Sequence, residues 1–472
     1  MNRFAVLLVV LLVLASLGGG PASARSADSR PAASLTKDGD RWSLEFTFDA
    51  DAPAWGFVHS AQMRDGQPQW RQQQWRVDTP GVYLDRLGFR DVLRSRDGGP
   101  VPRTVRLTVT PGHARVAASY DPALVFSDGS IALFSGQFDV FPVSVIDEVK
   151  DMPEDLNGTE LGAEPTRVTW RDTEGPILFK GERREAVTEQ DAQTYVLFGR
   201  SSAVEHEAMA TVIDPETPQW IQYEIGSYAP TVTAYYAAEF GATPSVRPTV
   251  MAAWKGPTPG MSSMGGSVLP GLIVASFEGA DVVDPTDDLR TMIRWFIGHE
   301  AAHFWLGHTV RYEYARDMWI TEGGADLMAI RALSAANSDY DGLAALQQEV
   351  DDCVELTKDR GVVTASERNE HRAYYACGAV ISLAAEASQR RLNGGDAFDF
   401  LRPLIVDNSD AVLTRDEWLS QLDRTSGDAR LRQAVQQLLD HGSEDPAATV
   451  ADLFTLSGVG HHRMEGRVIL DE

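Results

Sequence analysis

The sequence predicts an α+β protein in which an antiparallel β domain, residues 35–210, precedes a mainly α-helical region, residues 211–390, and further C-terminal helices, residues 391–472. Three observations carry this. Apolar and polar residues alternate in short runs through the first part of the chain, which is the period of a half-buried strand. After about residue 215 the apolar spacing lengthens to that of helices. A chain of 472 residues, 43% of them hydrophobic, is long enough for two or three domains that each bury a core.

At the N-terminus, Met1-Asn2-Arg3 leads into an apolar run from Phe4 to Leu17 and then to Ala22-Ser23-Ala24, the charge, core and cleavage pattern of an export signal. Residues 1–24 are therefore expected to be removed and the protein to be exported, periplasmic or secreted. Stable membrane insertion after cleavage is not expected, because about 14 apolar residues fall short of the roughly 20 that span a bilayer. Residues 25–34, rich in Ala, Ser, Arg and Pro, read as a flexible tether. Trp42, Leu44, Phe46 and Phe48 alternate with polar residues, as do Val105, Leu107 and Val109, giving two strands. Further strands are expected at 131–134, 167–170 and 194–198, with turns at Asp97-Gly98-Gly99-Pro100 and Asp128-Gly129. The acidic stretch from Glu148 to Pro165 reads as a solvated loop, and its Asn157-Gly158-Thr159 fits a glycosylation acceptor where the host cell has that machinery.

Beyond residue 215, a helix is expected from Ser227 to Phe240, stopped by Gly241, then strands at 249–254 and 271–277. A helix from Thr286 to Leu306 begins with a capping threonine and Asp287 and Asp288 in its first turn. Thr414 with Glu417 forms a capping-box pattern, and Leu431 to Leu439 is amphipathic. The net charge of −26 argues against nucleic acid or anionic lipid as partner, since both demand basic clusters. The only two cysteines, Cys353 and Cys377, suit one disulfide in an oxidising compartment, with two separate buried thiols as the alternative that spacing leaves open.

The chemistry lies in His299-Glu300-Ala301-Ala302-His303. Four residues make about one helical turn, so both imidazoles leave one face and can ligate one metal ion, while Glu300 is placed to take a proton from water there. The flanking Trp295, Phe296, Ile297, Phe304, Trp305 and Leu306 are apolar, so the pair is buried and needs a partner. A third ligand at short range fails, because Leu306 and Thr309 stand where that pattern needs Gly and His. A second helix opening at Trp319-Ile320-Thr321-Glu322-Gly323-Gly324 supplies Glu322 instead. Asp326, one turn on, can accept a hydrogen bond from a ligand imidazole and set its tautomer. Two imidazoles and a carboxylate favour a single zinc ion, with cobalt or manganese as substitutes.

These segments, with 18 residues between His303 and Glu322, resemble the gluzincin metallopeptidases of the membrane alanyl aminopeptidase type. The resemblance implies a thermolysin-like, mainly helical catalytic domain over 211–390, a peptide or protein substrate, and an oxyanion-binding tyrosine. Tyr375-Ala376-Cys377-Gly378 sits where that family has Tyr-x-Lys-Gly, so Tyr375 is the expected donor, with Tyr374 as its alternative. The family's Gly-Ala-Met-Glu-Asn strand, whose glutamate anchors the substrate's α-amine, aligns with Gly265-Gly266-Ser267-Val268-Leu269 as the substrate-binding strand. Val268 replaces that glutamate, and an apolar side chain cannot neutralise an ammonium. His308 stands where the family has Asn and reads as a neighbour of the ligands rather than a fourth ligand. The expected activity is peptide hydrolysis; the competing readings are hydrolysis of another carbonyl or an epoxide in the same cleft, and a non-catalytic zinc scaffold.

Overall fold

The computed structural model describes residues 30–63, 68–117, 120–154, 156, 159, 161–244, 247–408 and 411–471. The expected export signal, the first five residues of the tether, and Asn157 and Gly158 lie outside the described residues.

In the first domain a six-stranded sheet runs in the order 186–190, 167–172, 32–38, 41–47, 104–109, 75–77. Leu35, Leu44 and Leu107 lie side by side across three of its strands, all buried, as period-two alternation requires. Ala32 to Ser34, expected within the tether, are the first residues of a strand, because Ala33 continues the buried face opposite Phe46 and Val168. The domain also departs from a purely antiparallel arrangement: Ala32–Asp38 pairs in parallel with Arg167–Asp172. The chain reaches the second of these strands after a long excursion through other sheets, so no tight hairpin dictates its direction. The stretch read as a solvated loop from Glu148 begins inside a short helix, Ile146–Lys150, whose Val149 is buried and which shares a small apolar cluster with Met152, Leu156 and Leu161.

A five-stranded sheet in the order 204–205, 210–213, 249–254, 272–278, 263–269 belongs to the second half. Its strands Ala210–Ile213 and Thr249–Trp254 are parallel and joined over a helix, Gln219–Phe240, as a parallel pair requires. Met251 and Ala253 face Phe134, Leu178 and Leu197 of the first domain, while Val250, Ala252 and Trp254 face the helices. Covered on both sides, this strand is buried at every residue and reads as an apolar run after Thr249. The Gln219–Phe240 helix starts eight residues before the expected Ser227, because burial of Trp220, Ile221 and Ile225 outweighs the weak local signal around Gly226 and Pro230.

The helical layer contains Asp287–Ala302 (the histidine helix), Trp319–Ala336 (the glutamate helix), Gly342–Leu356 (the bridging helix) and Arg372–Asn393 (the tyrosine helix). Helices Ala397–Ile405, Arg415–Ser426, Ala429–Asp440 and Pro446–Ser457 follow, then a hairpin of His461–Met464 with Arg467–Leu470 where helices alone are expected. Thr414 and Glu417 form a reciprocal capping box. Cys353 and Cys377 form a disulfide between the bridging and tyrosine helices. No described helix is long and apolar enough to cross a membrane.

Candidate active site

Thr286 caps the histidine helix through the Leu289 N–H at 3.1 Å. The helix ends at Ala302, four residues before the expected Leu306, because the amides of Phe304 and Trp305 turn to carbonyls three residues back and tighten the last turn. His303 keeps a helical backbone at the cap (φ −66°, ψ −13°), so the one-turn relation to His299 survives.

The two rings bring their Nε2 atoms to 3.0 Å from each other. Glu322 Oε2 lies 3.3 Å from Nε2 of His299 and 3.4 Å from that of His303. On the far edge of each ring the partner is an acceptor: Asp326 Oδ1 stands 2.7 Å from Nδ1 of His299, and the Leu306 carbonyl 2.8 Å from Nδ1 of His303. Each Nδ1 therefore carries the hydrogen, and in the neutral rings each Nε2 is a bare lone pair. With the rings neutral, two lone pairs and a carboxylate oxygen converge on one point, where a metal cation, or protons taken up by the rings, relieve their repulsion. The edges of 3.0, 3.3 and 3.4 Å are close to the roughly 3.3 Å edge of a tetrahedron with ligand distances of about 2.0–2.1 Å. The residues thus fit a zinc-type ion, and theirs is the sole His/Cys/Asp/Glu group of this kind among the described residues.

Burial disfavours protonation of both imidazoles, yet the surrounding carboxylates outweigh it and their pKa values are raised. Burial also works against the charge of Glu322, but the two histidines overcome it and hold this carboxyl far below its ordinary range. Glu300 is buried in the same place; desolvation, opposed by the histidines and helped by Glu322, raises its pKa.

Two close approaches set this geometry. A Cβ on Gly323, next to Glu322, would fall 2.1 Å from the carbonyl carbon of Gly378, and one on Gly378 would fall 2.3 Å from the Trp319 carbonyl oxygen. The glutamate and tyrosine helices therefore touch backbone to backbone beside Glu322 and Tyr375. A Cβ on Gly266 of the edge strand would meet the Phe296 ring at 2.6 Å, so that glycine lets the histidine helix lie against the strand. Tyr375 stacks on His299 with ring centroids 5.6 Å apart, and burial and its interaction with Glu322 raise its pKa. Tyr374 instead points its hydroxyl to Ser366 Oγ at 3.3 Å. His308 is partly buried beside His303, its pKa lowered to about 4 by burial and by that neighbour, and lies outside the ligand group.

A cleft of about 890 Å³ lies against the edge strand, lined by Gly265, Gly266 and Ser267 and, from the first domain, by Tyr120 and Asp121. Tyr120 reaches across so that its hydroxyl donates to the Val268 carbonyl at 3.3 Å, and burial together with Glu300 raises its pKa to about 12. No local pattern marked this tyrosine, since only the docking of the two domains brings it here. Both lining carboxylates are already engaged: Asp121 with Lys255 at 2.8 Å, and Glu278 with Arg115 at 3.4 Å and with Thr258 at 2.7 Å.

No protein-family model and no curated protein matches the chain. Among solved structures, an aminopeptidase N family protein from Idiomarina loihiensis superposes with a TM-score of 0.59 at 12% identity, over 89% of this chain and 78% of that one. The likeness is one of fold. An M1 zinc metallopeptidase from Deinococcus radiodurans, solved with a Tyr-Ser-Ala substrate, gives a TM-score of 0.46 at 13% identity, over 87% of this chain and 93% of that one. The aminopeptidase N-like fold of this chain thus carries a His-His-Glu group at the junction of its edge strand and helices.

Proposed function

We propose that the chain is an exported zinc metallopeptidase with His299, His303 and Glu322 as ligands of one zinc ion and Glu300 as catalytic base. The observation that carries this is the convergence of two imidazole lone pairs and a carboxylate oxygen within 3.0–3.4 Å, next to a buried fourth residue, Glu300, that a purely structural site has no use for. When bound, zinc supplies Lewis acidity toward the scissile carbonyl and the attacking water. Glu300 accepts the proton of that water on a carboxylate oxygen and passes it to the leaving nitrogen. The Tyr375 hydroxyl donates to the oxyanion, and the free edge of strand Ser263–Leu269 pairs with an extended peptide. Asp326 holds the His299 ring through Nδ1.

An aminopeptidase needs a carboxylate for the substrate's ammonium. Val268 offers none, and the two carboxylates lining the cleft already have cations. Cleavage of peptides without a free amine is therefore expected. The signal-like residues 1–24 and the Cys353–Cys377 bridge favour export to an oxidising compartment. Val268 also supports a second reading, a zinc scaffold that binds peptides without cutting them.

The deciding experiment is a mass-spectrometric digest of free and N-blocked peptides by residues 25–472 and by the Glu300→Gln variant. Glu300-dependent cleavage of blocked peptides supports an endopeptidase, and removal of residues from free N-termini alone supports an aminopeptidase with another anchor. Absence of any Glu300-dependent cleavage in zinc-loaded protein overturns the peptidase reading.

A further inference from the structure

We propose that Arg372 is a positioning residue for the metal centre, orienting Asp326 and through it the His299 ring; this rests on the zinc reading of the site. Asp326 is fully buried, and its two oxygens have different partners. Oδ1 accepts from His299 Nδ1 at 2.7 Å, and Oδ2 faces Arg372 Nη1 at 3.4 Å. With the imidazole alone, this carboxylate would be free to turn about its Cβ–Cγ bond and would carry its charge in the protein interior with one hydrogen bond. The guanidinium supplies both a second anchor and a compensating charge.

Arg372 is itself held. Its Nη2 donates to Glu349 Oε1 at 2.6 Å and its Nε to Asp352 Oδ2 at 2.8 Å, both on the bridging helix. The next residue, Cys353, is bonded to Cys377 of the tyrosine helix, so the helix that carries the two clamping carboxylates is covalently fastened to the one that carries Arg372 and Tyr375. A rigid planar fork can meet three carboxylates at once through three different nitrogens, which a lysine ammonium on a flexible stem cannot reproduce. Arg372 opens the tyrosine helix one turn before Tyr375, so one helix aims a donor at the substrate and steadies a ligand from behind.

The glutamate and tyrosine helices carry a comparison pair away from the histidines. Arg331 of the glutamate helix donates through Nε to Glu386 of the tyrosine helix at 3.0 Å, another partly exposed arginine on a buried carboxylate. Its loss should weaken the interface without touching Asp326.

The test is zinc affinity by competition with a chromophoric chelator, alongside melting temperature, for wild type, Arg372→Met, Arg372→Lys and Arg331→Met. Arg372→Met is expected to bind zinc about 10- to 100-fold more weakly, Arg372→Lys to recover part of that loss, and Arg331→Met to lower the melting temperature while keeping wild-type affinity. Should Arg372→Met not fold, Arg372→Lys carries the test, with an affinity below that of the wild type and of Arg331→Met. Wild-type affinity in the folded Arg372 variants, or an equal loss in Arg331→Met, overturns the assignment. A wild type that takes up no zinc overturns the functional reading itself, and the assignment with it.

Discussion

In the first domain Arg71 lies fully buried, paired with Asp91, donating to the carbonyls of His59 and Gln137 at 2.9 and 3.0 Å and lying over the Phe57 ring at 4.0 Å. Arg86 engages the other oxygen of Asp91 at 2.9 Å, so that each charge faces an opposite charge, although the buried Arg71 Nε meets no acceptor among the described residues. In the helical region His299, His303 and Glu322 are nearly as buried, but while the Nδ1 atoms of the two rings meet acceptors, their Nε2 atoms and Glu322 Oε2 converge within 3.0–3.4 Å. In the first cluster cations face carboxylates directly, whereas in the second, read as a zinc site, electron-pair donors converge on one point. A buried constellation of charges is thus no sign of function in itself. The sign is a set of lone pairs of one kind aimed at one point, with a titratable group beside it.

That contrast can be broken most directly at Glu300. Glu300→Gln should lower peptide turnover by about 10³-fold or more while one zinc per chain is retained, because a general base is removed and the ligands are not. Loss of zinc in that variant, measured by atomic absorption, would show that Glu300 helps hold the ion rather than serving as base alone. Next in size, Arg71→Met should destabilise the protein by about 3–5 kcal/mol in urea unfolding, as expected when a buried ion pair loses one partner. Zinc content should stay unchanged, and a loss would show that the two clusters are not independent. Replacing Cys353 and Cys377 together by serine should cost roughly 3 kcal/mol, from the loop of 24 residues that the bridge closes.

The smallest expected effects are in pH dependence, and their signs differ between the regions. Burial, with Arg71 and Arg90, lowers the His59 pKa from its ordinary 6.5 to about 4. The unfolded chain binds that proton more tightly, so His59 contributes stability above pH 6.5 that is lost as pH falls toward 4. Glu349 runs the other way. Burial and Asp326, opposed by Arg372, raise it from 4.5 to about 7 with Asp352 adding to the shift, so the folded protein holds the proton more tightly. Its contribution is present below pH 4.5 and is lost as pH rises toward 7. His59→Gln and Glu349→Gln should each flatten the stability profile in its own window, by at most about 3 kcal/mol across the whole window. Urea midpoints between pH 4 and 8 that keep the wild-type slope in either variant would refute that assignment.

The convergence of His299, His303 and Glu322 and the Asp326 contact were legible in the sequence because they depend on local spacing: one helical turn relates His299 to His303 and Glu322 to Asp326, the first pair on a helix capped by Thr286 and the second on an apolar, buried helix. The strands around Leu35, Leu44 and Leu107 were legible for the same reason, since a period of two needs no knowledge of what covers the face. What lay beyond the sequence depended on partners distant in the chain. Tyr375, which only the family resemblance put ahead of Tyr374, stacks on His299 because of how the tyrosine helix is rotated against the glutamate helix, and the contact of Gly323 with Gly378 determines how near the two helices come. Tyr120 enters the cleft only when two sheets dock, and Arg372 reaches Asp326 only once the bridging helix supplies its carboxylates. Covalent spacing along a helix or strand is a property of the chain itself, whereas the meeting of side chains from separate elements is decided by the packing of the whole.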